Sequence, residues 1–319
     1  MHARLPVIFH PAYEVDIGSH VFPTQKYGLI RASLLEENTI TADDLLTPEP
    51  ASDAQVALVH TADFLQKIGT GSLSSQEQMV LEVPFSPELR EAMWICTGGS
   101  ITTASRSLEV GVAVHLGGGF HHAFPDHGEG FCLINDVAIA IRSLLSQDVI
   151  CRAAVIDCDV HHGNGTAAIF ADDPAVFTFS MHQERNYPAW KPPSDLDVGL
   201  ENGTGDEQYL ATLEQHLPAV IDRHRPELIL YLAGADPYRH DQLGGLDLTI
   251  EGLRERDRLV FDTFWAADVP VAVTLAGGYA LHHQDTVEIH CNTVREAARR
   301  LVSPNPPDSA SEALAQDPL

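Results

Sequence analysis

The sequence predicts an α/β domain with a central parallel β-sheet and helices on both faces. Short apolar runs rich in β-branched residues recur along the chain, apolar on both faces as strands covered on both sides must be. Stretches with helical periodicity lie between them. The runs are PVIF (6–9), QVALVH (55–60), GVAVHLG (111–117), AAVIDCD (153–159), AVFTFSM (175–181), LILYLAG (228–234) and VPVAVTLAGG (269–278). Helices are read at INDVAIAIRSLL (134–145), GDEQYLATLEQHLPAVIDRH (205–224) and TIEGLRERDRLVFDTFWA (249–266). A chain of 319 residues with 44% hydrophobic content can bury one large core. No repeat and no linker divides it, so one domain is expected over 1–302. The polar, proline-rich SPNPPDSASEALAQDPL reads as a frayed tail over 303–319.

Forty-five acidic against nineteen basic residues give a formal charge of -26. That field repels nucleic acid and anionic membranes and favours solubility and basic partners. MHARLPVIFHPAYEV has no basic segment followed by a long apolar one, and nowhere do about 18 apolar residues run together. A soluble, cytoplasmic protein is expected. Five cysteines (Cys96, Cys132, Cys151, Cys158, Cys291) form no CxxC and sit mostly inside apolar segments, so they read as reduced core residues. Long connections at 10–30, 118–132 and 183–206 are of a length that a compact domain keeps for a mouth or a lid.

The stretch DCDVHHGNG (157–165) places two carboxylates and two imidazoles within six residues, directly after AAVI. Desolvating so many ionisable groups is expensive unless they pair or bind a cation. If the strand stays extended through 161, alternation puts Asp157, Asp159 and His161 on one face. The following glycines turn the chain at the strand's carboxyl end. Three other strands end in matching chemistry: His121 and His122 follow 112–116, Asp236 follows 228–234, and Tyr279 follows 271–275. Singly, each has an ordinary explanation as a cap, a loop histidine or a surface aromatic. Together, four segments deliver polar groups to the rim where parallel sheets bind ligands, and a metal is the first candidate.

The segments GGGFHHAFPDHGEGFCLINDVAIA, AVIDCDVHHGNGTAAIF, LAGADPYRHDQLGGLDLT and LAGGYA, in this order and spacing, resemble the zinc-dependent histone deacetylase-like proteins of the arginase/deacetylase superfamily. The likeness runs from about Val7 to about Arg300, and RDRLVFDTFWAADVPVAVTLAGGYA and LGGLDLT look closest to class IV and its bacterial relatives. The family fold is a parallel sheet flanked by helices. Carried over by position, Asp159, His161 and Asp236 match the zinc ligands, a set that leaves the metal an open position for substrate. His121 and His122 match the tandem histidines, Asp157 the carboxylate behind His121, and Tyr279 the hydroxyl donor to the acyl oxygen. Asn164 stands behind His122 where many class I members have aspartate; an amide oxygen orients the ring but stabilises its charged form less. The resemblance also implies potassium near Asp157, Asp159 and His161, with Ser180 helping.

Phe131, preceded by Gly130, and Tyr187 match the aromatic walls of the family's acyl-lysine tunnel, while Leu243 occupies the place of the gatekeeper glutamate of polyamine deacetylases. No clear counterpart of the class I aspartate that grips the substrate backbone stands around EVPFSPEL. The implied activity is zinc-dependent hydrolysis of the N-acyl-lysine amide, acetyl or longer, in proteins or peptides. Rival readings are a deacylase of polyamine or another small amide, an inactive acyl-lysine-binding module, and a two-manganese ureohydrolase. The last fits the tandem histidines and Tyr279 poorly, and a lapsed enzyme would be expected to lack a ligand, base or tyrosine. The oligomeric state is not legible.

Overall fold

The computed structural model describes residues 4–302, so the expected tail at 303–319 lies outside the described residues. Eight strands form one wholly parallel sheet: β1 (Val7–Ile8), β2 (Leu45–Leu46), β3 (Val112–His115), β4 (Ala153–Asp157), β5 (Val176–Gln183), β6 (Leu196–Leu200), β7 (Ile229–Leu232) and β8 (Val271–Thr274). Their order across the sheet is β2-β1-β3-β8-β7-β4-β5-β6. The helices are α1 (Lys26–Glu36), α2 (Asp53–Val56), α3 (Ala62–Thr70), α4 (Ser75–Leu81), α5 (Pro87–Val110), α6 (Asp136–Ser146), α7 (Asn164–Phe170), α8 (Asp206–His224), α9 (Ile250–Ala266) and α10 (His283–Val302). Among the described residues, no helix is long and apolar enough to cross a membrane.

Alternation along the central strands sends side chains into two cores. Ile156, Tyr231 and Val273 face one, while Val155, Leu230 and Ala272 face the other, all of them buried. Helices must therefore cover both faces, which is what a continuous apolar strand sequence demands. From β4 the chain builds outward through β5 and β6, then returns to the other side of β4 for β7 and β8. The connections thus diverge between β4 and β7, and the crevice at the carboxyl ends of such diverging strands is where open α/β sheets take ligands.

QVALVH is not a strand. Ser52 and Gln55 form a reciprocal capping box that starts α2, and Val56 and His60 are buried while Leu58 is 41% exposed, a helical spacing rather than alternation. Strand β6 lies inside the stretch read as one long connection over 183–206. The 24-residue α5 also escaped the periodicity reading, because Ala92 through Ser100 are buried without a gap and leave no amphipathic stripe.

Behind the crevice lies a buried cation. Arg256 of α9 donates from Nη1 to the carbonyls of Gly234 (2.5 Å) and Cys158 (3.4 Å), bridging the ends of β7 and β4. Its Nε donates to Asp257 Oδ1 (2.9 Å), whose carboxylate also accepts from Tyr231 (2.5 Å) and Thr293 (2.6 Å). Removing one partner of such a pair strands the other charge in the core. Arg256→Met is expected to cost roughly 3–5 kcal/mol in chemical denaturation. The double variant R256M/D257L should lose less; equal losses would show that stranding Asp257 is not the cause.

Candidate active site

Each polar group of the crevice is delivered by the carboxyl end of a strand. The loop after β3 carries the two histidines, and its course is set by Asp136 at the start of α6. The Asp136 carboxylate accepts from the N–H groups of Gly119 (3.1 Å) and Phe120 (2.7 Å) and from the Ser100 hydroxyl. His121 then donates from Nδ1 to Asp157 Oδ2 (2.6 Å), and its Nε2 stands 3.1 Å from His122 Nε2. His122 donates from Nδ1 to Asn164 Oδ1 (2.7 Å). Burial opposes a charge on both rings. At His121 the Asp157 and Asp159 carboxylates overcome it and raise the ring to about 9. At His122 burial is reinforced by the positive His121 and His161, and the ring is held well below the usual histidine range. Two adjacent imidazoles are thereby pushed in opposite directions, His121 toward the charged form and His122 toward the neutral one.

Beside them, Asp159, His161 and Asp236 each offer a ligating atom, all within 4.8 Å of one another. His161 Nδ1 stands 3.0 Å from Asp159 Oδ1 and 3.3 Å from Asp236 Oδ2. Main-chain donors hold the far oxygens: Gly277 N–H reaches Asp159 Oδ2 (2.9 Å), and Val160 N–H reaches Asp236 Oδ1 (2.9 Å). Asp236 Oδ2 is buried with no hydrogen-bond partner. A Cβ on Gly277 would stand 2.1 Å from Asp236 Oδ2 and 2.6 Å from Asp159 Oδ2, so only glycine admits both carboxylates there.

Burial, together with the charge of Asp159, raises Asp236 to about 7. Asp159, although burial opposes its charge, is driven well below the carboxylate range by His121 and His161. His161, against burial, is raised to about 10 by the neighbouring Asp159 and Asp236 carboxylates. The cluster thus calls for positive charge between two buried carboxylates, an orphaned oxygen points into it, and its donors are hard oxygens and one imidazole. Those features fit zinc held by three protein ligands.

Above the cluster opens a pocket with about 170 Å³ free, lined by His122, Phe131, His161, Tyr187, Leu243 and Tyr279 among others. Gly130 lies at φ +52°, and a Cβ there would come within 2.8 Å of the His122 ring and 2.9 Å of the Tyr187 ring. Phe131 keeps a left-handed backbone, φ +71°, despite its side chain, a strain of roughly 1–2 kcal/mol. The Tyr187 ring stands edge-on to His122 (5.0 Å, 87°). Asp241 joins wall to floor: it accepts from Leu243 N–H (2.8 Å) and from Tyr279 N–H (2.7 Å).

All the residues read from the motifs therefore meet around one crevice. Ser180, the register partner of Asp157, is beside it, with its hydroxyl bonded to His182 Nδ1 (3.0 Å). A second group, His162, His182 and Asp197, is also within ligating distance. His162 Nε2 lies 3.1 Å from Asp197 Oδ1, His182 Nδ1 lies 3.0 Å from the Ser180 hydroxyl, and Asp197 Oδ2 accepts from Ser194 N–H (2.9 Å), while His162 Nδ1 is buried without a partner.

Four residues escaped the sequence reading. Asp241 and Glu129 sit inside motifs already quoted, where only packing reveals their partners. Glu82 belongs to EVPFSPEL, the stretch with no evident substrate-gripping carboxylate, yet it lines the mouth of the pocket. Lys26, fully buried, donates to the carbonyls of Ala276 (2.7 Å) and Gly277 (3.3 Å), and burial lowers it to about 8. Nothing in FPTQKYG announces that role, because its partners lie 250 residues away.

Known proteins share the fold and the family of this chain. The model of the histone deacetylase domain family matches residues 20–294. An uncharacterized protein of Picosynechococcus is 42% identical over 295 residues, covering 92% of this chain and 98% of that one. The acetoin utilization protein AcuC of Bacillus subtilis is 30% identical, covering 79% and 71%. In three dimensions the chain resembles a crystal structure of an HDAC homolog from Aquifex aeolicus, with a TM-score of 0.80 at 23% identity, covering 93% of this chain and 84% of that one.

Metal titration tests the cluster independently of catalysis. Wild type should take up about one zinc, and zinc at a hundred times its Kd should stabilise it by about 2.7 kcal/mol. Asp236→Asn should lose that zinc-dependent gain yet melt no lower than metal-free wild type, since the substitution removes a repelling charge. A metal-free variant less stable than metal-free wild type would show that Asp236 is chiefly structural.

Proposed function

Since the chain belongs to the histone deacetylase family, we propose that it is a zinc-dependent hydrolase of N-acyl-lysine amides in peptides or proteins, with acetyl as its acyl group. The observation that carries the reading is the cluster of Asp159, His161 and Asp236 beside two histidines, one backed by the Asp157 carboxylate and the other by the Asn164 amide. Asp159, His161 and Asp236 would hold the metal. When bound, zinc supplies a Lewis acid that polarises a carbonyl and acidifies water.

The chain's own groups supply the proton transfers. His122, with its Nδ1 proton directed to Asn164, has its Nε2 lone pair turned toward the site and takes a proton from water as the water oxygen adds to the acyl carbon. The C–N bond then breaks, the same proton passes from His122 to the departing lysine amine, and the acyl group leaves as its carboxylic acid, whose remaining proton goes to the free amine to give carboxylate and ammonium. His121, held by Asp157, keeps its own proton and offers positive charge beside the reacting centre. Tyr279 is kept protonated by burial and by the Asp159 and Asp236 charges, so it can donate to the developing oxyanion.

The free space around the site supports a short acyl group. The floor lined by His121, Gly277 and Tyr279 leaves about 20 Å³. The apolar pocket beyond Phe131, lined by Tyr13, Ile17, Leu89, Met93 and Cys96 among others, leaves about 10 Å³. A single water needs roughly 10–15 Å³ on that measure, so a methyl fits and a long chain would have to displace side chains. Leu243 stands where the resemblance puts the gatekeeper carboxylate of polyamine deacetylases, so the carboxylate at the mouth is that of Glu82. Potassium, if held beside Asp157, would draw on the Ser180 hydroxyl and main-chain carbonyls, because both Asp157 oxygens already accept from His121 and Asp159 N–H.

Lysine peptides carrying acetyl through myristoyl groups, followed by mass spectrometry, test the reading. Acetyl-lysine should turn over fastest, stop on chelation and resume with zinc, and Tyr279→Phe should lower kcat by about 10²–10³ with zinc retained. Faster removal of myristoyl would overturn the acyl-length argument. No turnover of any acyl-lysine by zinc-loaded protein would favour a small acylated amine or a binding module.

A further inference from the structure

Behind the His122–Asn164 pair stands a carboxylate with no part in the chemistry above. Glu129 Oε1 accepts from Asn164 Nδ2 (2.7 Å) and from the Tyr187 hydroxyl (3.0 Å), while its Oε2 lies 3.4 Å from His127 Nε2. A primary amide is nearly symmetric in shape, and its two orientations present opposite hydrogen-bonding ends. A carboxylate accepts only, so Glu129 obliges Asn164 to point its NH2 outward and its oxygen at His122. That oxygen in turn obliges His122 to carry its proton on Nδ1 and leaves Nε2 as the lone pair facing the site.

We propose that Glu129 is a positioning residue that selects the basic tautomer of His122 by locking the Asn164 amide. This rests on the reading of His122 as the base. The same oxygen takes the Tyr187 hydroxyl, so one carboxylate sets both the orientation of the base and the place of a tunnel wall. An aspartate behind His122 would need no lock, because both of its oxygens accept. The asparagine needs one, and Glu129 provides it from the turn that also carries Gly130 and Phe131.

Three variants and two readouts test this in the zinc-loaded protein. Glu129→Ala removes the lock; Glu129→Gln keeps one oxygen able to take both donors; E129A/N164D replaces the amide with a group that cannot flip. In 15N ring spectra, with the His122 signal assigned by its loss in His122→Asn, wild type should show the Nδ1–H tautomer. Glu129→Ala should mix the two tautomers, and both Glu129→Gln and the double variant should restore the first. On acetyl-lysine peptide, Glu129→Ala should lose about 10- to 100-fold in kcat, as removal of a supporting hydrogen-bond partner does, with KM little changed. Glu129→Gln should recover most of that loss. N164D alone sets two carboxylates at hydrogen-bond distance and should be impaired, whereas E129A/N164D should exceed either single variant. An unaltered tautomer in Glu129→Ala, or losses that simply add in the double variant, would overturn the proposal. If the wild type hydrolyses no acyl-lysine, the functional reading fails, but the tautomer spectra still decide the role of Glu129.

Discussion

Two carboxylates buried side by side, Asp159 and Asp236, impose the constraint that the rest of the crevice answers. They sit past the ends of neighbouring strands β4 and β7, and neither can be ionised there without positive charge close by. The protein gathers cationic groups from several directions. His161 lies between them, His121 stands on one side, Lys26 approaches through the carbonyls of the β8 loop, and Arg256 braces the strand ends from below. Glycine at 277 and main-chain donors from Gly277 and Val160 complete the enclosure. A site of this kind is assembled against electrostatic resistance, which explains the number of fully buried polar groups in its walls.

Resistance of the same sort sorts the protons. The two tandem histidines are 4.1 Å apart, ring to ring, and cannot both be charged in a desolvated space. The one with Asp157 behind it takes the charge, and the one with only an amide stays neutral. What distinguishes them is therefore the next residue back, a few heavy atoms from the chemistry.

Much of this was legible in the sequence for a physical reason. Strands of a parallel sheet announce themselves as apolar runs, and polar groups at or just past their carboxyl ends follow directly, so Asp157, Asp159, His161, Asp236 and Tyr279 could be placed by counting. Elements with no one-dimensional signature were missed. Helix α5 is buried on nearly every side, β6 is a half-exposed edge strand, and QVALVH carries the composition of a strand but the caps of a helix. In the site, the same limit hid Lys26, Glu82, Glu129 and Asp241. Their partners are distant in sequence, and a lone lysine or glutamate in a loop resembles any solvated charge.

Strand order also governs when the site can come into being. Strand β8, next to the last element of the fold, lies between β3 and β7 in the middle of the sheet, and it leads to Gly277 and Tyr279. During synthesis the histidines and the first aspartate are made early, but they face a gap until residues more than a hundred positions later insert beside β3. Closing that gap requires long-range pairing, which is slow to form. A growing chain therefore carries unmatched acidic and imidazole groups from the synthesis of His121 until β8 is made, and the completed sheet and the enclosed cluster arrive together, late.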